Sequence, residues 1–134
     1  MLIDTGPIVA LIDADDLHHS RCRSLLASLP TPLVTTIPCF TEAHYLLGRN
    51  LGYRGQQTLW RWRQVGTIRL HYGNSTEEET MERLMAQYRD TPMDYADASL
   101  MAAAETLRDL HIFTLDSHFY AYRFADGSVP QVFP

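Results

Sequence analysis

Leu2-Ile3-Asp4-Thr5-Gly6-Pro7 opens on an apolar pair, sets down a carboxylate and then turns the chain. The pair reads as a short buried strand. Thr5 as a cap and Pro7, which a first helical turn tolerates, predict a helix through Ile8 to Asp13. Strand, turn and helix then recur. Leu33–Thr36, Thr67–Tyr72 and Ile112–Leu115 read as further strands, and Gln131–Phe133 as an edge strand. Between them lie helical patterns over Leu17–Leu29, from Pro38 to the Gly48–Gly52 stretch, over Gln56–Val65, from a Ser75 or Thr76 cap onward, and over Asp94–Leu110. The last presents Ala96, Ala98, Ala102, Ala103 and Ala104 as a small-residue face for close packing on a sheet. Alternation of this kind implies an α/β fold with parallel pairing and right-handed crossovers. At 134 residues the chain has the size of a single domain, residues 1–134.

Composition removes several classes. No apolar run approaches the roughly 18 residues of a membrane span, and the start of the chain has the wrong layout for a secretory signal. Cys22 and Cys39 make neither a disulfide framework nor a zinc site, which fits a reducing, cytoplasmic setting with both thiols buried. All eleven basic residues are arginine. Without lysine, P-loop hydrolases, Schiff-base enzymes and phospho-aspartate receivers are excluded. Sixteen acids give a net charge of −5. If Asp4, Glu42, Asp94, Asp97 and Asp116 converge on one site, the eleven acids left balance the arginines.

In open parallel sheets ligands bind beyond the carboxyl ends of the strands. Asp4 closes the first predicted strand and Asp116 the fourth. Glu42 falls in the early turns of the helix after the second strand, and Asp94 and Asp97 share one face near a helix start. Each acid has a plain structural reading: Asp4 and Asp116 as helix caps, Glu42 on a solvent face, Asp94 and Asp97 as a capping pair. The acidic run Glu77-Glu78-Glu79 reads as a solvated helix start. Taken jointly, acids from separate segments reach the same sheet edge. Clustered carboxylates repel and raise one another's pKa unless cations compensate, and an all-carboxylate set suits Mg²⁺ or Mn²⁺ rather than zinc. The corresponding chemistry is hydrolysis of a phosphodiester by a metal-activated water.

The segments Leu2–Leu11, Thr41-Glu42-Ala43, Pro92–Leu100 and Thr114–Phe119 together resemble the PIN domain, and within it the VapC-type ribonucleases of toxin-antitoxin modules. The resemblance implies a three-layer α/β/α fold around a central, mainly parallel sheet. It also implies that Asp4, Glu42, Asp97 and Asp116 are the acidic quartet that binds Mg²⁺ or Mn²⁺, with Asp94 as a neighbouring fifth acid in the catalytic group. Thr114 precedes Asp116 as in the family's T-x-D. His118 stands where many relatives carry another aspartate, so a second metal is left open; the histidine reads as a partly exposed residue at a helix start, or as a proton donor or phosphate contact. The resemblance further implies an RNA substrate, a cognate antitoxin and a homodimer. Trp60-Arg61-Trp62-Arg63, with Arg49, Arg54 and Arg69 near it, ranks first as an antitoxin or dimer interface, then as core packing, then as an RNA contact. Two further readings stand beside the ribonuclease toxin: a non-catalytic PIN-fold interaction module, and a metal-dependent nuclease outside toxin-antitoxin function.

Overall fold

A computed structural model describes residues 1–133; Pro134 lies outside them. The chain runs β1 (Leu2–Ile3), α1 (Thr5–Ile12), α2 (His19–Leu26), β2 (Leu33–Thr36), α3 (Ile37–Leu51), α4 (Tyr53–Gln64), β3 (Ile68–His71), α5 (Ser75–Gln87), α6 (Tyr95–Leu107), β4 (His111–Phe113), a short 3₁₀ turn (Ser117–Tyr120) and β5 (Gln131–Phe133). The strands form one sheet in the order β3-β2-β1-β4-β5, every pairing parallel. β1, the most deeply placed strand, pairs Leu2 with Val34 on one side and Leu2 and Ile3 with Ile112 and Phe113 on the other.

Successive strand side chains point to opposite faces, and the core divides accordingly. Leu2 and Ile112 join Met81, Leu84 and the buried alanines of α6 on one face, while Ile3 and Phe113 join Ile8, Phe40, Leu47 and Leu59 from α1, α3 and α4 on the other. Helices therefore cover both faces, which gives the three layers. The alanine face behaves as expected: Ala98, Ala102, Ala103 and Ala104 are fully buried against the sheet. Among the described residues, no helix is long and apolar enough to cross a membrane.

Several element ends move from where the pattern put them. The α1 cap is Asp4, whose carboxylate accepts from the Thr5 amide, so the helix starts at Thr5 rather than Ile8. The second helix shrinks to His19–Leu26, because Leu17 is solvent-exposed and residues 28 and 29 close a tight turn on Leu25 and Leu26. α3 does end within the Gly48–Gly52 stretch, running through Gly48 to a Gly52 cap at φ 65°; at Gly48 a Cβ would sit 2.6 Å from Gln56 Nε2, which donates to the His44 carbonyl. That close α3–α4 approach also lets α4 begin at Tyr53. Asn74, rather than Ser75 or Thr76, caps α5. α6 stops at Leu107, where Arg108 turns left-handed and Asp109 ties the Met1 ammonium and His111. Of the tryptophans, Trp62 packs against the core and Trp60 stays part-exposed, with Arg63 over its ring.

His44 is edge-on to Phe40 and tilted against Trp60, with ring centroids 4.6 and 4.8 Å away, and its Nε2 is buried without a hydrogen-bond partner among the described residues. Burial lowers its pKa, so folding favours the neutral ring. Its share of stability is complete above the unfolded value near 6.5 and is lost as pH falls through that value toward the folded one. In thermal melts, His44→Phe is expected to stabilise the fold more at acidic pH than at pH of about 8. An equal effect at both would contradict this.

Candidate active site

β1 ends inside the sheet, so the next residue, Asp4, emerges at its carboxyl edge with little exposure, 8%. Its backbone amide still donates to Phe113 of β4, at 2.9 Å, which fixes the side chain between the two strand ends. Both carboxylate oxygens are engaged. Oδ1 accepts from the Thr5 amide at 2.6 Å and Oδ2 from the Thr114 hydroxyl at 2.7 Å. Thr114 Oγ1 accepts in turn from the Asp116 amide at 3.0 Å, so one hydroxyl links the two acids. β4 thus ends at Phe113, because Thr114 turns inward to Asp4, and Asp116 follows the strand rather than closing it. Asp116 is half-buried; Oδ1 accepts from the His118 amide at 2.8 Å and lies 2.9 Å from His118 Nδ1.

Glu42 is exposed, as helical periodicity favoured, yet it is not adrift. The Thr5 hydroxyl donates to its Oε2 at 2.8 Å. Asp94 and Asp97 form the reciprocal capping box of α6: Asp94 Oδ1 accepts from the Asp97 amide at 2.8 Å, and Asp97 Oδ2 from the Asp94 amide at 3.4 Å. Asp94 remains exposed, while Asp97 is buried at 8% exposure. Capping therefore accounts for Asp94 and orients Asp97 without removing either from the edge.

The electrostatics show the cost of this gathering. Burial pushes the Asp97 pKa up to about 7, with the charges of Asp94, Asp4 and Asp116 adding to it. Burial pushes Asp4 up to about 6 against the lowering from Thr114 and Thr5, with Glu42 and Asp116 adding to the rise. The acids are close enough to feel one another. Among the described residues, however, no three His, Cys, Asp or Glu side chains form a ready-made metal ligand set.

Some members have no sequence signal. The buried Tyr122 donates to the Pro92 carbonyl at 2.9 Å and to Asp97 Oδ2 at 3.3 Å. The buried Cys39 thiol sits 3.8 Å from Asp4 Oδ1 and from the Ala96 carbonyl. Both are distant in sequence from the acids they touch. Glu77 corrects the reading of the acidic run: it is 5% exposed and accepts from His71 Nε2 at 2.8 Å, because the Asn74 cap turns the start of α5 back over the end of β3.

A pH dependence follows. Between about pH 4 and pH 6 to 7 the folded chain holds protons on Asp4 and Asp97 that the unfolded chain has lost, so stability falls as pH rises across that window. For Asp4 alone the loss is about 3 kcal/mol. In chelator, Asp4→Asn and Asp97→Asn are expected to flatten the fall, melting at or above the parent at pH of about 8. Marked destabilisation of both variants there would contradict mutual repulsion.

Residues 1–125 match the PIN domain family. The chain is 29% identical, over the full length of both proteins, to ribonuclease VapC26 of Mycobacterium tuberculosis. It is 23% identical over 126 residues, 94% of this chain and 96% of the other, to the 23S rRNA-specific endonuclease VapC20 of the same species. The crystal structure of M. tuberculosis VapC20, a sarcin-ricin loop cleaving toxin, superposes with a TM-score of 0.84 at 22% identity, covering 93% of this chain and 96% of that one. Sequence match and shared fold agree: the chain belongs to the PIN domain family.

Proposed function

We propose that this chain is a divalent-metal-dependent ribonuclease acting as one domain over residues 1–134, and that it is the toxin of a toxin-antitoxin pair. The observation that carries the reading is the burial of Asp4 and Asp97 at the sheet edge with Glu42 and Asp116 close by. Two buried carboxylates at about 6 and about 7, with Glu42 and Asp116 beside them, are a poor structural investment unless a cation offsets their charge at neutral pH. The relatives named as ribonuclease and rRNA endonuclease supply RNA as the substrate. Hydrolysis by water at phosphorus needs no 2'-hydroxyl, so the site chemistry alone serves DNA equally well.

The donor set fits a hard cation: it is all oxygen, and the nearby Cys39 thiol is buried with its pKa raised, so it is not a ligand at neutral pH. Asp4, Glu42, Asp97 and Asp116 would hold Mg²⁺ or Mn²⁺, with Asp94 on the rim. Such an ion supplies an activated water and neutralises charge developing on the phosphate. The chain's own residues do the positioning. Thr114 clamps Asp4 and carries Asp116 with it, Thr5 draws Glu42 toward Asp4, and Tyr122 with the Asp94 amide orients Asp97. His118 is held against Asp116, where it would meet a phosphate oxygen or a leaving group. An antitoxin segment carrying an arginine would pair with the same acids, and a homodimer is the expected assembly.

RNA cleavage is expected to need Mg²⁺ or Mn²⁺, to stop in chelator, and to leave 5'-phosphate and 3'-hydroxyl ends; 2',3'-cyclic phosphate ends would contradict the mechanism. Asp97→Asn is expected to abolish cleavage. Thr114→Val, which frees Asp4 without removing it, is expected to weaken metal affinity or rate by roughly 10- to 100-fold. The toxin role is tested in cells: the parent chain is expected to arrest growth, Asp97→Asn to be tolerated, and robust cleavage in the tube with harmless expression would refute it.

A further inference from the structure

Three depressions follow one another from the outer side of the edge strand β3 onto the carboxyl edge of the sheet, and two tyrosines form the walls between them. The outermost lies beside the edge strand β3 and is lined by Arg63, Gly66, Arg69 and Tyr72. Tyr72 also lines the next, whose floor holds Thr36, His71, Glu77 and Ser99 and whose far wall is Tyr95. Tyr95 also lines the third, with Tyr45, Glu42 and Asp94. The series therefore runs from two arginines to the acids of the proposed active site.

The side chains along it have the character of a single-strand binder. Tyr72, Tyr95 and Tyr45 are 71%, 55% and 66% exposed. Arg63 and Arg69 are exposed too, and among the described residues the only arginine ion pair is Arg89 with Asp90. The polar floor is already satisfied, His71 by Glu77 and Thr36 by Ser99 at 2.6 Å. Burial does not explain the tyrosines, nor ion pairing the arginines. Stacking on aromatic faces with phosphates on exposed arginines is how single strands are held without sequence readout.

We propose that single-stranded RNA lies along this series of depressions, with phosphates on Arg63 and Arg69 beside β3, bases on Tyr72 and Tyr95, and the base beyond the scissile phosphate on Tyr45. The inference rests on the ribonuclease reading and adds to it the path by which substrate reaches the carboxylates. The arginines sit away from the acids, so the strand is gripped where no metal is needed and delivered where one is.

The test uses the Asp97→Asn chain in Mg²⁺ with a 12-nucleotide oligoribonucleotide carrying 2-aminopurine, read by fluorescence. Binding is expected to quench the probe. Tyr72→Ala or Tyr95→Ala should reduce the quench and weaken affinity about tenfold with the salt dependence unchanged, and Tyr72→Phe should restore both. The Arg63→Ala, Arg69→Ala double variant should lower the slope of log affinity against log salt by about 1.4. In the cleaving parent the same tyrosine changes should raise KM more than they lower kcat. If the variants bind and cleave RNA like their parents, the track is overturned while the nuclease reading stands. If they instead change the sedimenting mass and leave RNA affinity unchanged, the edge is an interface between copies and the track is overturned. If the binding results hold but the parent does not cleave RNA in Mg²⁺, the track stands and the nuclease reading fails.

Discussion

Asp4 is a carboxylate that the fold buries and then has to satisfy, and most of the site is arranged around that demand. β1 spans two residues, so its end lies within the sheet and the acid it delivers is nearly sealed from water. An ionised carboxylate there is costly unless donors reach both oxygens. One donor is the first amide of α1, which makes the acid a helix cap. The other is Thr114, arriving from the neighbouring strand on the far side of the chain. Satisfying Asp4 thus brings the ends of β1 and β4 into register, and with them Asp116.

The structural and chemical roles of the acids coincide instead of competing. Asp4, Asp94 and Asp116 each cap a helix or turn, and each lies at the edge where the strands release their carboxyl ends. A cap holds the carboxylate in a set orientation at the positive end of a helix. It leaves the oxygens spare lone pairs, since each of these carboxylates accepts only one or two close hydrogen bonds. What capping does not remove is mutual repulsion. The fold confines the charges while raising the proton affinity of the two most buried, a state that a divalent cation would relieve.

Features set by neighbours in sequence were legible beforehand. The apolar pair before Asp4, the Asp94–Asp97 spacing and the alanine face of α6 each carry their signal within one turn or one strand. Features set by distant partners were not. Nothing near Tyr122 announces Asp97, nothing near Thr5 announces Glu42, and Glu77 read as solvated because the His71 that buries it lies across a turn. Element ends failed for a related reason. A cap is chosen by which side chain reaches the first free amide, so Asp4 displaced Thr5 and Asn74 displaced Ser75.

The central claim is that these carboxylates form one cation site whose protons must leave when the ion binds. Titrating Mn²⁺ into the metal-free protein by calorimetry, at about pH 6 in buffers of differing ionisation enthalpy, measures those protons directly. The account expects between one and two released per chain at about pH 6, almost none at about pH 8.5, and fewer from Asp97→Asn. Binding that releases no protons at either pH, or that is unchanged in Asp97→Asn, would contradict it.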